Sequence, residues 1–161
     1  MQPLRRRADA AGRATNLRAV VQRVSSAHVL VENREVGAIG SGLCVLLGVA
    51  EDDEDEIAVR LAGKVARLRI FENEEGRFDR SLLDAGGAAL VVSQFTLIAD
   101  TDKGNRPSFS HAAAPAQAEQ LYQAFCKTLA EEGIEVATGQ FGARMSVELV
   151  NDGPVTVVLE T

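Results

Sequence analysis

Two short stretches hold residue types from which a small, shape-selective pocket can be built. Ser93-Gln94-Phe95-Thr96-Leu97 sets two hydroxyls around an aromatic ring in a strand-like run, and Asn151-Asp152-Gly153-Pro154-Val155-Thr156 sets a rigid Gly-Pro corner among β-branched residues. Hydroxyls and backbone amides beside an aromatic wall can donate hydrogen bonds to an oxygen that gains charge during a reaction. Taken singly, each stretch also has a plainer reading. The first suits a strand whose Gln94 and Thr96 face outward while Phe95 fills the core. The second suits a β-hairpin turn, because Asn-Asp-Gly is a strong turn signal.

Other chemistries find little material. A nucleophile-and-base enzyme needs Ser, Cys or Thr near a His with an orienting acid behind it. His28, at a strand start, and His111, in a loop, lie in no nucleophile motif, and no Gly-x-Ser-x-Gly elbow occurs. Cys44 and Cys126 sit in apolar and amphipathic stretches as small buried hydrophobes, and form neither a metal motif nor a disulfide framework. The acids from Asp52 to Glu56 would point in different directions from a helix start, and no matching ligand set recurs, so no metal and no cofactor are expected. Gly37, Gly40, Gly42 and Gly48 make neither phosphate-loop spacing. An enzyme built on this chain works with hydroxyls, amides and shape.

In combination the two stretches resemble the D-aminoacyl-tRNA deacylase family, whose members carry a Ser-Gln-Phe-Thr motif and a late Gly-Pro motif. The likeness runs from Leu17 to Thr161. Leu17 to Val24 is similar to the family's first strand, Lys103-Gly104-Asn105-Arg106-Pro107-Ser108-Phe109 to its central loop, and Phe141-Gly142-Ala143-Arg144-Met145 to its third pocket segment. A sister family acting on L-alanyl-tRNA has Pro-Gln-Ala-Thr in place of the first motif, so Ser93 and Phe95 side with the D-specific branch.

The resemblance implies an editing hydrolase that cleaves the ester of D-aminoacyl-tRNA, and glycyl-tRNA mischarged on tRNA-Ala, to free amino acid and tRNA. Ser93, Gln94, Phe95 and Thr96 would form the catalytic segment, their amides and hydroxyls stabilising the oxyanion while the terminal 2′-hydroxyl of the tRNA assists attack. The Gly153-Pro154 bond is cis in the family, and the pair would reject an L side chain by steric clash. Phe141 and Met145 would line the pocket, Ala113 would lie near the 3′ terminal adenosine, and Arg23 would hold the Gly-Pro loop. Family members are homodimers in which that loop enters the partner's pocket. Lys103, Arg106, Arg77, Arg80 and Arg144 could meet the acceptor end, although each also suits an ordinary solvated charge. A non-catalytic dimeric binding module for aminoacylated RNA ends is the alternative.

The scaffold that must position these residues is a single domain, which 161 residues suit. With 17 basic against 23 acidic residues the net charge is −6, which argues against binding nucleic acid through a global basic field. No apolar run reaches membrane length, so no membrane association and a cytoplasmic location are expected. Residues 1–16 carry Arg5, Arg6, Arg7 and Arg13 against Asp9 alone and read as a disordered basic extension to a domain at 17–161.

Alternation from Arg18 predicts a strand with a turn at Asn33-Arg34-Glu35, and the continuous apolar run Leu43 to Val49 predicts a central strand buried on both faces. Ile57, Leu61, Val65 and Leu68 recur at helical spacing behind the acids, which suit a helix amino terminus. Phe71 to Phe78 reads as a hairpin around Glu74-Glu75-Gly76, Ala88 to Leu97 as a strand, and Pro115 to Glu132 as a second helix with Ala118, Leu121, Phe125 and Leu129 buried. Strands separated at Gly139-Gln140 and at Asn151-Asp152-Gly153 complete the chain. The expected fold is α+β: a mainly antiparallel, barrel-like sheet with two outer helices.

Overall fold

The computed structural model describes residues 16–161. The expected basic extension lies outside the described residues except for Asn16, which is buried.

The element order is β1 (Arg18–Val31), β2 (Arg34–Ile39), β3 (Gly42–Gly48), α1 (Asp55–Arg67), β4 (Phe71–Glu72), β5 (Phe78–Arg80), α2 (Leu82–Ala85), β6 (Ala88–Ser93), a 3-10 turn (Phe95–Ile98), α3 (Pro115–Glu131), β7 (Glu135–Thr138) and β8 (Ser146–Glu160). The main sheet runs β2-β1-β3-β6-β7, with β8 paired to the other side of β1. Pairs of β1 with β2, β3 and β8 are antiparallel, whereas β3 with β6 and β6 with β7 are parallel. The sheet is therefore mixed and curls into a nearly closed barrel. Its seam is the approach of β2 to β7, where a Cβ on Gly37 would collide with the Thr138 carbonyl.

Both faces of the central strands are buried, as the continuous apolar runs require. On β3, Leu43, Val45 and Leu47 join the core under α1 and α3, while Cys44 joins a smaller core inside the barrel. On β6, Ala89 and Val91 take the first side, and Leu90 and Val92 the second. In β1, Ala19 and Val21 face the first core and Val24 the second, as alternation requires, but Ala27 and Val29 also face the second, so the parity changes between Val24 and Ala27, where the β1–β8 register breaks. A bulge there turns the rest of β1 onto the smaller core, and Arg23 is buried just before it.

The two outer helices occupy the expected segments. In α1, Ala58, Leu61, Ala62, Val65 and Ala66 face the core, with Asp55 and Glu56 in the first turn. In α3, Pro115 opens the helix and Ala118, Leu121, Phe125 and Leu129 make the buried stripe, with Tyr122 beside it. One helix was not expected. A single turn, α2, is fixed by a capping box in which Asp84 N–H donates to Ser81 Oγ (3.1 Å) and Ser81 N–H donates to the Asp84 carboxylate (2.9 Å). The Ser81 backbone N–H, and then the Ser81 hydroxyl, stabilise the Asp84 carboxylate and hold that carboxyl below its ordinary range.

Two boundaries differ from the sequence reading. The strand expected over Ala88 to Leu97 ends at Ser93, and the chain turns into the 3-10 helix at Phe95. The break expected at Asn151-Asp152-Gly153 is a bulge within the continuous strand β8, whose Gly153-Pro154 peptide is cis. Asn151 explains the continuity: its side-chain amide donates to the Arg23 carbonyl (3.0 Å) and to the Val155 carbonyl (3.1 Å), bridging the bulge to β1.

Candidate active site

Where β6 ends, the chain is captured by the strand next to it. Gln94 N–H donates to the Leu47 carbonyl (2.8 Å), and Leu97 N–H returns to the Gln94 carbonyl (3.2 Å) to start the turn. The turn lies on Gly48, where a Cβ would stand 2.9 Å from Leu97 Cβ and 3.0 Å from the Gln94 carbonyl oxygen. The Arg18 guanidinium holds its far end by donating to the Leu97 carbonyl (2.6 Å). The first two amides of the turn, those of Phe95 and Thr96, make no hydrogen bond among the described residues, as the start of any helix leaves them.

A cavity of about 580 Å³ opens beside this turn, within the usual range for small-ligand sites. Ser93, Gln94 and Phe95 form one wall, Phe109, Ala112 and Ala113 a second, and Phe141, Gly142, Ala143 and Met145 a third. The second wall is pinned to the end of β3 by Ala113 N–H donating to the Val49 carbonyl (3.0 Å) and Glu51 N–H to the His111 carbonyl (2.9 Å). Phe141 leans on Tyr122 at 6.0 Å between ring centroids. The Tyr122 hydroxyl donates to the Val91 carbonyl (2.7 Å), and burial holds that phenol well above its ordinary range.

Phe95 is not the core residue that a simple strand would make of it. It is 56% exposed and meets Phe109 edge-on, with centroids 5.1 Å apart. Thr96 does not line the cavity; its hydroxyl accepts from the Gln94 side-chain amide (2.5 Å), which ties the turn to itself. None of the residues lining the cavity has an ionisable side chain. His28 and His111 instead sit beside Glu148 (2.7 Å) and Glu51 (3.5 Å), and the buried thiol of Cys44 is pushed up to about 11. Among the described residues no group of three or more His, Cys, Asp or Glu is placed to hold a metal.

Gly153, Pro154 and Arg23 lie elsewhere in the chain. Gly153 and Arg23 border a separate hollow of about 360 Å³ with Phe71, Glu72, Arg80 and Asp152. Arg23 is the hub of that region: it donates to the carbonyls of Asp152 (3.1 Å) and Ile70 (2.8 Å), and lies near the carboxylates of Glu72 (3.4 Å) and Asp152 (3.3 Å). Its guanidinium also covers the Phe78 ring at 5.7 Å. Gly153 has φ +142°, and a Cβ there would stand 2.6 Å from Val155 Cγ2, so only glycine fits.

The model of the D-Tyr-tRNA(Tyr) deacylase family matches residues 20–160 of this chain. The chain belongs to that family. Curated relatives named D-aminoacyl-tRNA deacylase include one from Dinoroseobacter shibae, 58% identical over 89% of this chain and 99% of the relative. Another, from Roseiflexus castenholzii, is 60% identical over 90% of this chain and 92% of the relative. Among solved structures, one titled c-Myc DNA Unwinding Element Binding Protein superposes with TM-score 0.82 at 42% identity, covering 89% of this chain and 98% of that one. A probable eukaryotic D-amino acid tRNA deacylase gives TM-score 0.78 at 21% identity, covering 91% and 100%, and shows the shared fold.

Within this deacylase fold the five basic candidates separate. Lys103 and Arg106 stand on an exposed loop whose neck is closed by the Asp100–Ser108 bridge, between the 3-10 turn and Phe109. Arg144 is exposed among the residues of the third cavity wall. Arg77 and Arg80 belong to the β4–β5 hairpin beside the second hollow. Sequence reading missed Gly48 and Phe109 as parts of the site. The first sits in an apolar run that signals only core, and the second was visible only as an aromatic in a polar loop.

Proposed function

We propose that this chain is an editing hydrolase that cleaves the ester of D-aminoacyl-tRNA, and of glycyl-tRNA mischarged on tRNA-Ala, and leaves L-aminoacyl-tRNA intact. The observation that carries the reading is the cavity without an ionisable group, bordered by Ser93, Gln94 and Phe95 at the start of a turn whose first two amides, those of Phe95 and Thr96, have no hydrogen-bond partner among the described residues. Such a site stabilises a developing oxyanion and positions an ester but supplies no general base. An aminoacyl ester on the terminal ribose needs no more, because its carbonyl is activated and its neighbouring 2′-hydroxyl assists attack. Ala113 and the Phe109 side of the cavity hold the terminal adenosine; Lys103, Arg106 and Arg144 face the acceptor end. Gly153 and Pro154 act from a partner subunit: their separation from the cavity within one chain supports a homodimer in which the loop, fixed by Arg23, reaches across as the gate against L side chains. The enzyme is cytoplasmic.

The deciding experiment is incubation of the protein at low concentration with D-tyrosyl-tRNA and L-tyrosyl-tRNA. Hydrolysis of the D ester alone is expected. Cleavage of both would make the chain an unselective esterase, and cleavage of neither would leave a binding module.

A further inference from the structure

The 3-10 turn beside the cavity has little of its own to hold it in place. Its two backbone bonds, from Leu97 N–H to the Gln94 carbonyl (3.2 Å) and from Ala99 N–H to the Thr96 carbonyl (3.2 Å), span a single turn, so its position is set by what grips its ends. The β6 ladder grips the first. A side chain grips the second, where Arg18 Nη1 donates to the Leu97 carbonyl (2.6 Å).

What aims that side chain is found on the last strand. Arg18 pairs with Gly48 of β3 on one side and with Glu160 of β8 on the other. Directly paired residues point to the same face, so Glu160, Arg18 and Gly48 make one row across three strands. The turn lies on that face over Gly48, where a Cβ would also stand 3.3 Å from Ile98 Cδ1. The bare glycine leaves a lane along which the arginine reaches the turn. Glu160 Oε1 stands 2.9 Å from Arg18 Nε, and the two side chains are only 19% and 25% exposed. The contacts to Glu160 and to Leu97 use different nitrogens of one rigid plane. A carboxylate held at Nε therefore fixes the direction in which Nη1 points.

We propose that Arg18 and Glu160 are positioning residues for the reaction: Glu160 orients the guanidinium, and the guanidinium sets where the turn holds the Phe95 and Thr96 amides. The inference rests on the deacylase reading of the cavity and deepens it. Neither side chain lines the cavity, so both act through the turn and not on the ester.

The test is a mutant cycle on D-tyrosyl-tRNA with Arg18→Met, Glu160→Gln and the double variant. Arg18→Met is expected to lower kcat roughly tenfold, the scale on which sub-ångström misplacement acts, with KM little changed. Glu160→Gln should lower kcat in the parent and have no further effect in Arg18→Met, because the carboxylate works through the arginine. A pair that serves stability alone would lower the urea midpoint and leave kcat of the folded protein at the parental level. That result, a loss carried by KM, or additive losses in kcat overturns the proposal. Arg18→Lys keeps the charge beside Glu160 and loses only the planar fork, so it tests the same point without leaving the carboxylate unpaired; parental kcat in that variant is equally fatal.

A second readout does not depend on any reaction. In 15N-labelled protein, Glu160→Gln should shift the amide resonances of Phe95 and Thr96, which lie on the far side of Arg18 from the substitution; unmoved resonances overturn the proposal. If the parent cleaves neither D- nor L-tyrosyl-tRNA, the deacylase reading falls, while the amide resonances still decide whether the pair sets the turn.

Discussion

Ser93 and Thr96 look alike in sequence but do different work in space. Ser93 borders the cavity, while Thr96 is not among its lining residues and its hydroxyl is engaged by Gln94 at 2.5 Å. Neither is near a base that could make it a nucleophile. Ser93→Ala and Thr96→Ala should therefore each reduce turnover far less than loss of a triad nucleophile, which costs on the order of 10⁶. Single-turnover rates on D-tyrosyl-tRNA measure this, alongside the same tRNA ending in 2′-deoxyadenosine. The deoxy substrate should suffer more than either variant; a dead Thr96→Ala with a fully cleaved deoxy substrate would sink the 2′-hydroxyl mechanism. Arg23 was legible only through resemblance, because nothing in an alternating strand marks which cation will be buried. Its burial goes with the irregular β1–β8 pairing beside it, where the side chain donates to the carbonyls of Ile70 and Asp152.

The 3-10 turn is the element on which the site depends, and Gly48 is the floor beneath it. Gly48→Ala should lift the turn by several tenths of an ångström, since its Cβ would crowd Leu97 and the Gln94 carbonyl. The expected result is a roughly 10–100-fold fall in kcat/KM from misplaced amides, with about 1–3 kcal/mol lost in stability by urea titration. Activity at the parental level would mean that the position of these amides is not limiting. This turn is also where sequence reading failed in detail. Ala88 to Leu97 has one continuous β-like character, and the strand stops because its partner β3 ends at Gly48: the bond from Gln94 N–H to the Leu47 carbonyl is the last rung of the parallel ladder, and no local pattern contains where a distant partner ends. Likewise Asn151-Asp152-Gly153 carries a turn signature that tertiary pairing with β1 overrides. The outer helices and the doubly buried strands were legible because their periodicity alone dictates one or two buried faces. The parallel pairs of β6 were not, since pairing partners leave no trace in alternation.

For the molecule as a whole, the proposed site needs two chains. Gly153→Val subunits mixed with Phe141→Ala subunits should regain part of the activity that each homodimer lacks, because a mixed dimer contains one intact loop facing one intact cavity. Equally inactive mixtures, with exchange verified by native mass spectrometry, would end the shared-site reading. The long pairing of β1 with β8 has a further consequence, one that concerns synthesis. Arg18 faces Glu160 in that register, and Thr161 N–H closes onto the Leu17 carbonyl (3.1 Å), so two strands far apart in sequence are neighbours along nearly their whole length. A nascent chain emerging in order makes β1 well before β8. Until β8 leaves the ribosome, one edge of β1 has no partner, and its bare amides and carbonyls invite pairing with other chains. Protection of the emerging polypeptide over that interval must then come from delay or from a chaperone.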